Sequence, residues 1–495
     1  MTDGRPKPGP DPVPVQGFDL APDELRRIGA LAVEAVAAHR ESLEERPVFG
    51  KIGAKAELFA ESLPDEGRPF EEVLAFVREH VMPHPFGNSH PRFFAFINAS
   101  ADPVAILADL LAATMNPNCW GGDHAAIHVE HRVIAWLASI LGLPPQAEGI
   151  LTSGGSMANF TALAAARVAM APWDVREEGA GPPGRPRLVV YASDQVHNCV
   201  DKAVDLLGIG LRQLRKVESD ERFRMRVDRL RDAIATDRAN GLLPAIVVGN
   251  AGTVNTGAVD PLDEIADVCE LEGLWFHADG AYGGMALVSD AMRPLFRGIE
   301  RAHSVAADPH KWLYVPYEAG AALVREPGRL SASFRRPAEY LVHDEASPLL
   351  GPPGFNDRGP ELSRSFKALK VWMGLKVHGR RAYAERVERD CGLARFLAEE
   401  VRRRPAFELL AEPVLSIVNF RYRPDGWRGE DELGSLNRRI VNQLVGGGGF
   451  MLAPTVLKGR VAMRVCIVNF RTREDDLVAL LAEAERIGHT LASKG

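Results

Sequence analysis

LWFHADGAYGG (residues 274–284) and DPHKW (residues 308–312) are the two stretches that decide the fold. The apolar run at 274–276 is typical of a short buried strand. It delivers Asp279 to the carboxyl end of that strand, where open α/β sheets bind their ligands. Lys311 follows a second short segment, residues 304–307, and a lysine that loses its proton is a nucleophile toward carbonyl groups. Each residue alone has an ordinary explanation, because aspartates often cap helices and most lysines are solvated.

Asp279 and Lys311 indicate a particular cofactor when they are considered together. An acidic group that holds a pyridinium nitrogen and a lysine that forms a Schiff base are the two protein groups that pyridoxal phosphate requires. Their succession on neighbouring predicted strands therefore predicts an enzyme that uses pyridoxal phosphate as its cofactor.

A turn rich in glycine and serine, Gly154-Gly155-Ser156, lies between a predicted strand and a helical run that reaches about residue 170. Such a turn points unpaired backbone N–H groups and the positive end of a helix dipole toward one place, and a phosphate fits there. The alternative is a plain tight turn into a helix. The turn is neither a G-x-G-x-x-G fingerprint nor a P-loop, which counts against a dehydrogenase and an NTPase.

Predicted strands and helices alternate through the middle of the chain. Strands are expected at 188–191, 245–248 and 274–277, and helices at 198–207, 227–239 and 261–271. This alternation is the signature of an α/β fold with a mostly parallel central sheet and helices on both faces. The C-terminal part, with strands at 415–422 and 461–468, predicts a small α+β module.

These patterns divide the chain into four predicted parts, given the usual size of a domain. We expect a disordered tail at 1–17, an N-terminal helical segment that packs in a dimer at 18–100, a large cofactor-binding domain at 101–370, and a small C-terminal domain at 371–495. The tail is expected to be disordered because its prolines leave little apolar surface to offset the cost of ordering.

Composition predicts a soluble protein of the cytoplasm. Of its 495 residues 46% are hydrophobic and 25% are charged, the formal net charge is -7, and no basic stripe favours nucleic acid. No apolar run is long enough to span a bilayer, and no secretory signal is visible at the N-terminus. The five cysteines are far apart and form no Cys-x-x-Cys pair. That spacing favours a reducing compartment.

Three histidines share one face of a predicted helix. His124, His128 and His131 stand at i, i+4 and i+7, a spacing that could bind zinc. However, the segment has no His-Glu-x-x-His pattern and no accompanying cysteine or aspartate cluster. We therefore predict no metal site.

Taken together, the motifs resemble those of the pyridoxal-dependent group II amino acid decarboxylases, the family of aromatic-L-amino-acid and glutamate decarboxylases. The similarity runs from about Leu63 to the C-terminus, with the motifs in family order and spacing. The matching segments are HPRFFAF (90–96), TSGGSMAN (152–159), YASDQVH (191–197), AGTVNTGAVD (251–260), HADGAYGG (277–284), DPHKW (308–312) and MRVCIVNFRT (463–472).

The resemblance implies a fold of the aspartate-aminotransferase type, pyridoxal phosphate fold type I, in a homodimer with active sites at the subunit interface. It also implies roles for individual residues. Lys311 matches the Schiff-base lysine, Asp279 the partner of the pyridinium nitrogen, His197 the imidazole stacked on the cofactor ring, Gly154, Gly155 and Ser156 the phosphate-binding turn, Thr253, Ala281 and His310 further cofactor contacts, and Tyr340 the mobile-loop tyrosine that reprotonates the carbanion.

The resemblance leaves the substrate and the outcome of the reaction open. Asn98 and Asn118 are predicted to contact the substrate, and their polarity argues against assuming an aromatic amino acid. Decarboxylation of an L-amino acid is the first expectation. An aldehyde-forming oxidative deaminase or an aminotransferase is the alternative with the same cofactor, and a catalytically silent scaffold is the third. Tyr340 favours decarboxylation, because without a proton donor the carbanion would be left for oxygen.

Overall fold

The computed structural model describes residues 19–336, 351–426 and 429–493. The chain divides into two compact units, one up to Phe86 and one from Gly87 onward. The first unit is helical, with α1 (Pro22–Glu41), a 3₁₀ segment (Gly53–Phe59) and α2 (Phe70–Phe76), which continues as a π turn to Val81.

A mixed sheet organises the second unit. Within the described residues it has seven strands in the order β1-β7-β6-β5-β4-β2-β3. Strands β2 to β6 are mutually parallel, whereas β7 runs antiparallel to both β1 and β6. The strands are β1 (Glu148–Thr152), β2 (Leu188–Ser193), β3 (Leu214–Val217), β4 (Leu243–Asn250), β5 (Trp275–Gly280), β6 (Ser304–Ala307) and β7 (Gly320–Val324).

The central strands are buried on both faces, as their sequences require. Every residue of β2, β5, β6 and β7 is buried, which suits continuous apolar runs covered by helices on both sides. The helices of this unit are α3 (Pro103–Met115), α4 (Ala125–Leu141), α5 (Gly155–Met170), α6 (Val175–Glu178), α7 (Asn198–Leu206), α8 (Val227–Ala239), α9 (Leu262–Glu272), α10 (Pro309–Trp312), α11 (Arg329–Phe334), α12 (Ala368–Arg402), α13 (Glu430–Gly446) and α14 (Glu474–Ala492).

A second, smaller sheet lies toward the C-terminus. Its four described strands are β8 (Phe407–Ala411), β9 (Ile417–Tyr422), β10 (Ala453–Leu457) and β11 (Arg460–Cys466), and they pair antiparallel in the order β10-β11-β9-β8. Helices α13 and α14 pack together, and α13 packs on β11. Helix α12 is interrupted at Gly379, whose φ of 73° is readily adopted only by glycine. The predicted α/β fold with a mostly parallel sheet and a small C-terminal module is confirmed.

None of the helices in the described ranges combines the length and the apolar character needed to cross a membrane. All five cysteines fall within those ranges, and each is a buried free thiol.

Candidate active site

Lys311 lies on the short helix α10, directly after β6. Its Nζ is 2.9 Å from Oδ2 of Asp308, the residue that precedes the helix. His310 Nε2 lies 3.6 Å from the same oxygen. The other carboxylate oxygen, Oδ1, is buried and has no hydrogen-bond partner among the residues that the structure describes. A buried carboxylate therefore holds the lysine amine near the carboxyl end of β6.

Asp279 lies near the carboxyl end of the neighbouring strand β5. It pairs with Asn250 on one side and with Ala306 on the other, so it sits in the middle of the sheet. Its side chain is 6% exposed, and its Oδ1 accepts a hydrogen bond from the Ala281 N–H at 3.1 Å. That bond fixes the carboxylate at the strand end, on the edge of the sheet that also presents Lys311.

The turn between β1 and α5 contains the predicted phosphate-binding residues. Gly154 has a φ of 152°, a conformation that side chains disfavour. A Cβ on Gly155 would lie 2.8 Å from both Asp308 Oδ2 and the Ala281 side chain. Only glycine permits this close approach, which brings the N-terminus of α5 to the strand ends that carry Asp279 and Lys311.

Two histidines flank the same space, and both favour the neutral form. His197 Nδ1 accepts a hydrogen bond from the Cys199 N–H at 3.2 Å, so the proton of the neutral ring is on Nε2. Desolvation by the surrounding protein lowers the pKa of His197. His310 Nδ1 accepts from the Ala319 N–H at 3.3 Å, and burial lowers its pKa as well.

These groups line a single pocket with a volume of about 380 Å³. The predicted site residues that line it are Asn98, Gly154, Gly155, Ser156, His197, Asp279, Ala281, His310 and Lys311. Residues at or just beyond the carboxyl ends of β1, β5 and β6 thus converge, although they are far apart in the sequence. The pocket contains the acid, the lysine and the glycine turn that a phosphorylated pyridinium aldehyde requires.

Two of the predicted residues that the structure describes, Thr253 and Asn118, are not among those that line the pocket. The Thr253 hydroxyl lies 3.0 Å from that of Thr256 and accepts from the Ala258 N–H. Asn118 Oδ1 accepts a hydrogen bond from the Arg364 N–H at 2.9 Å. Tyr340 falls outside the described residues.

Tyr317 and Arg464 are among the pocket residues that the sequence does not predict. Tyr317 donates a hydrogen bond to Asn98 Oδ1 at 2.7 Å, and its ring lies 4.5 Å from that of His310. Burial raises the pKa of Tyr317 to about 12. Arg464 is buried, and its Nε donates to the Val254 carbonyl at 2.8 Å. Its Nη2 has no hydrogen-bond partner within the described part of the chain. The only available signal for Arg464 was its position in the MRVCIVNFRT segment.

The three histidines that suggested zinc lie elsewhere. His128 Nε2 is 2.7 Å from Asp123 Oδ1, and His131 Nε2 is 3.1 Å from the Pro353 carbonyl oxygen. Across residues 19–336, 351–426 and 429–493, no group of three or more His, Cys, Asp or Glu side chains is arranged to hold a metal ion.

Comparisons of sequence and fold with known proteins point to one family. A family model described as "Pyridoxal-dependent decarboxylase conserved domain" matches residues 53–423. An aromatic-L-amino-acid decarboxylase of Bacillus atrophaeus is 36% identical, over 96% of this chain and 98% of that protein. A phenylacetaldehyde synthase of Arabidopsis thaliana is 28% identical, over 90% and 92%. The crystal structure of Oryza sativa TDC with PLP and tryptamine superposes with a TM-score of 0.88 at 28% identity, covering 96% of this chain and all of that one.

The family model and the Bacillus relative both span most of the chain, and the pocket provides the groups that pyridoxal phosphate needs. The chain therefore belongs to the pyridoxal-dependent decarboxylases, lyases whose cofactor is pyridoxal phosphate.

Proposed function

We propose that this chain decarboxylates an L-amino acid to the corresponding amine and CO2, with Lys311 holding the cofactor covalently. The observation that carries the proposal is the convergence of Lys311, Asp279 and the Gly154-Gly155 turn on one pocket. Bound there, pyridoxal phosphate supplies an electron sink for the pair of electrons left on Cα when a bond to that carbon breaks.

Asp279 and Asp308 have separate tasks in this proposal. Asp279, fixed by the Ala281 N–H, would keep a ring nitrogen protonated and so maintain the electron sink. Asp308, 2.9 Å from the Lys311 amine, would orient that amine toward the aldehyde carbon. The backbone N–H groups at the start of α5 would bind the phosphate, since a helix N-terminus favours an anion.

The proton that replaces CO2 on Cα must come from a positioned acid. We propose Tyr340 for this role, on the basis of its match to the family tyrosine. Neutral His197 would stack on the cofactor ring without bringing a second positive charge to it, in keeping with its lowered pKa. Thr253 and Asn118 stay in the proposal as a cofactor contact and a substrate contact, although neither lines this pocket.

The substrate end of the pocket is polar. Asn98 and Tyr317 form a hydrogen-bonded pair at its wall. Nη2 of buried Arg464, which no described residue pairs, is suited to a carboxylate. We propose that Arg464 binds a carboxylate group of the substrate. A guanidinium nitrogen buried without a partner costs free energy, which a bound anion would offset.

We also propose that the enzyme is a homodimer in the cytoplasm, with active sites completed by the second subunit. Helix α3 exposes Leu107, Leu110, Leu111 and Met115, each 48% to 58% exposed. Residues three and four apart share one helical face, and an exposed apolar face of this kind favours association. Five buried free thiols suit a reducing compartment.

Incubation of the purified holoenzyme with a panel of L-amino acids tests the proposed reaction. We expect CO2 and the amine in equal amounts for one class of substrate, with no ammonia or hydrogen peroxide. An aldehyde-forming oxidative deaminase remains the second candidate, because a relative named phenylacetaldehyde synthase matches over 90% of the chain. Aldehyde, ammonia and peroxide formed together with CO2 would favour that candidate. Amino-group transfer to a keto acid without CO2 would indicate an aminotransferase.

A further inference from the structure

We infer that Asn159 is a positioning residue, which acts through His277 and Ser304 to fix the phosphate-binding turn relative to the strand that carries Asp279. This inference rests on the proposed role of the Gly154-Gly155-Ser156 turn. None of the three side chains lines the pocket, and each is completely buried. Their effect on the cofactor is therefore indirect.

Four side chains form a continuous hydrogen-bonded chain behind the pocket. Asn159 Nδ2 lies 2.8 Å from the Gly155 carbonyl oxygen, and Asn159 Oδ1 lies 2.7 Å from His277 Nε2. His277 Nδ1 lies 2.8 Å from Ser304 Oγ. The Trp275 indole N–H donates to the same Oγ at 2.8 Å. We call these residues, Trp275, Ser304, His277 and Asn159, the buried relay.

The chemistry of the two ends fixes the direction of every hydrogen bond. A carbonyl oxygen only accepts, so the atom that faces Gly155 must be the amide NH2 of Asn159, and Oδ1 must face His277. Nε2 of His277 therefore donates. A neutral imidazole has one N–H, so Nδ1 accepts from the Ser304 hydroxyl, whose oxygen accepts from the indole. One proton arrangement satisfies all the members, as a rigid buried network requires.

The position of the buried relay links two parts of the site. His277 precedes Asp279 by two residues on β5, so both side chains are on the same face of the sheet. Gly155 is the first residue of α5 and the centre of the glycine turn. The buried relay thus connects the strand of the ring-binding acid to the turn that would bind the phosphate. The Asn159 amide also lies 3.6 Å from Cys199 Sγ, close to the helix that follows His197.

Two ligands that differ only in the phosphate test this inference. The apo forms of the wild type and of Asn159→Ala are titrated with pyridoxal phosphate and with pyridoxal, and binding is followed by visible absorbance. We expect Asn159→Ala to raise the dissociation constant of pyridoxal phosphate by about tenfold and that of pyridoxal by less than about twofold. Equal weakening of both ligands would overturn the inference in favour of an effect on the ring site near His197. No weakening of either would overturn it altogether.

Thr161→Val is the matched control. Thr161 is buried on the same helix, and its hydroxyl has no hydrogen-bond partner in residues 19–336, 351–426 and 429–493. Both dissociation constants should remain within about twofold of the wild type for this variant. If Thr161→Val weakened phosphate-dependent binding as much as Asn159→Ala, general loosening of α5 would explain the data and the inference would fail. Tight binding of pyridoxal phosphate by the wild type in the same titrations keeps this outcome separate from failure of the proposed function.

Ser304→Ala provides a second variant with a small change in volume. It removes the hydroxyl that joins His277 to Trp275 in the buried relay, without touching the turn. We expect it to weaken pyridoxal phosphate by about threefold and pyridoxal hardly at all. In the double variant with Asn159→Ala the two effects should be less than additive, because both act through His277. Full additivity, or no effect of Ser304→Ala, would contradict a connected relay.

Discussion

Replacing Lys311 by alanine removes the amine proposed to hold the cofactor. We expect Lys311→Ala to lose the visible absorbance that borohydride abolishes in the wild type, and to lose activity by at least about a hundredfold. The exposed Lys376 on α12 is the control, and Lys376→Ala should keep both properties. Mass spectrometry of borohydride-treated peptides checks the position directly. An adduct on any peptide other than that of Lys311 would contradict the assignment.

Tyr340 is proposed to protonate Cα after CO2 has left. Tyr340→Phe should lower the rate of amine formation by about 10² to 10⁴-fold and divert part of the product to aldehyde, because loss of a positioned acid leaves the carbanion exposed to oxygen. Product analysis by chromatography measures both changes. Tyr317→Phe, which loses only the hydrogen bond to Asn98, should still give amine alone. Unchanged amine output from Tyr340→Phe would refute the role.

Arg464 is expected to act on substrate binding. Arg464→Met should raise KM by about 10 to 100-fold with a smaller change in kcat, since a charge-assisted hydrogen bond to a buried guanidinium contributes about 1.5 to 3 kcal/mol. Steady-state kinetics with the best substrate of the panel measures the two constants. Arg460 is a partly exposed arginine on the same strand that pairs with Glu408, and Arg460→Met should leave KM unchanged. Equal KM values for the two variants would argue against a carboxylate at Arg464.

Sequence reasoning identified the residues whose chemistry is distinctive and missed those whose role depends on packing. Asp279, Lys311 and the glycine turn were predictable because the cofactor requires those groups near strand ends. Tyr317 and Arg464 reach the pocket only through tertiary structure, and a tyrosine or an arginine in isolation is ordinary. Asn159 and His277 are also ordinary polar residues in the sequence. Their role becomes visible only in the structure, where both are buried and hydrogen-bonded to each other.

At the level of elements, buried His277, which links β5 to α5 through its hydrogen bond to Asn159, predicts that the stability of the fold depends on pH. Burial lowers the pKa of His277 to about 4, against an ordinary value near 6.5, although the nearby Asp279 favours the charged form. Below pH 6.5 the unfolded chain binds a proton at this residue that the folded chain does not bind. Stability therefore falls as the pH drops from 6.5 toward 4.

The size of this effect follows from the shift. Between about pH 7 and about pH 5, His277 should cost the wild type about 2 kcal/mol of unfolding free energy. His277→Gln lacks the titrating group, so its unfolding free energy should fall by that much less over the same interval. Urea titrations of the two apo proteins at both pH values measure the difference. An identical pH dependence in wild type and variant would show that His277 does not carry it.

Three strands that the sequence does not predict lie at sheet edges. No strand was predicted at 214–217, 407–411 or 453–457, yet β3, β8 and β10 form there at the edges of the two sheets. Edge strands face solvent on one side and tolerate charged residues or proline, which hides the apolar pattern. In β3, for example, Arg215 pairs with Asp237 and Lys216 with Asp201. The strands expected at 188–191, 245–248, 274–277, 415–422 and 461–468 all form, and they lie inside the two sheets.

At the scale of the whole molecule, the apolar face of α3 predicts the state of association. Leu110→Glu would place a charge on that face, and we expect it to convert a dimer into monomers and to lower activity at least about tenfold, because a buried unpaired charge is costly. Light scattering measures the mass. Leu271→Glu is the control, since Leu271 is 80% exposed on α9 and should leave the mass unchanged. A Leu110→Glu protein with the mass and activity of the wild type would rule out α3 as the interface.

The position of the antiparallel strand β7 affects the stage of synthesis at which the chain can bind its coenzyme. It separates β1 from β6, and because it opposes both of them it leaves those two strands pointing the same way. A nascent chain that ends at residue 312 already contains the glycine turn, Asp279 and Lys311, but β1 has no neighbour to join. Residues 320–324 join β1 to the parallel strands, so a nascent chain that ends before them should bind the coenzyme less tightly than one that includes them.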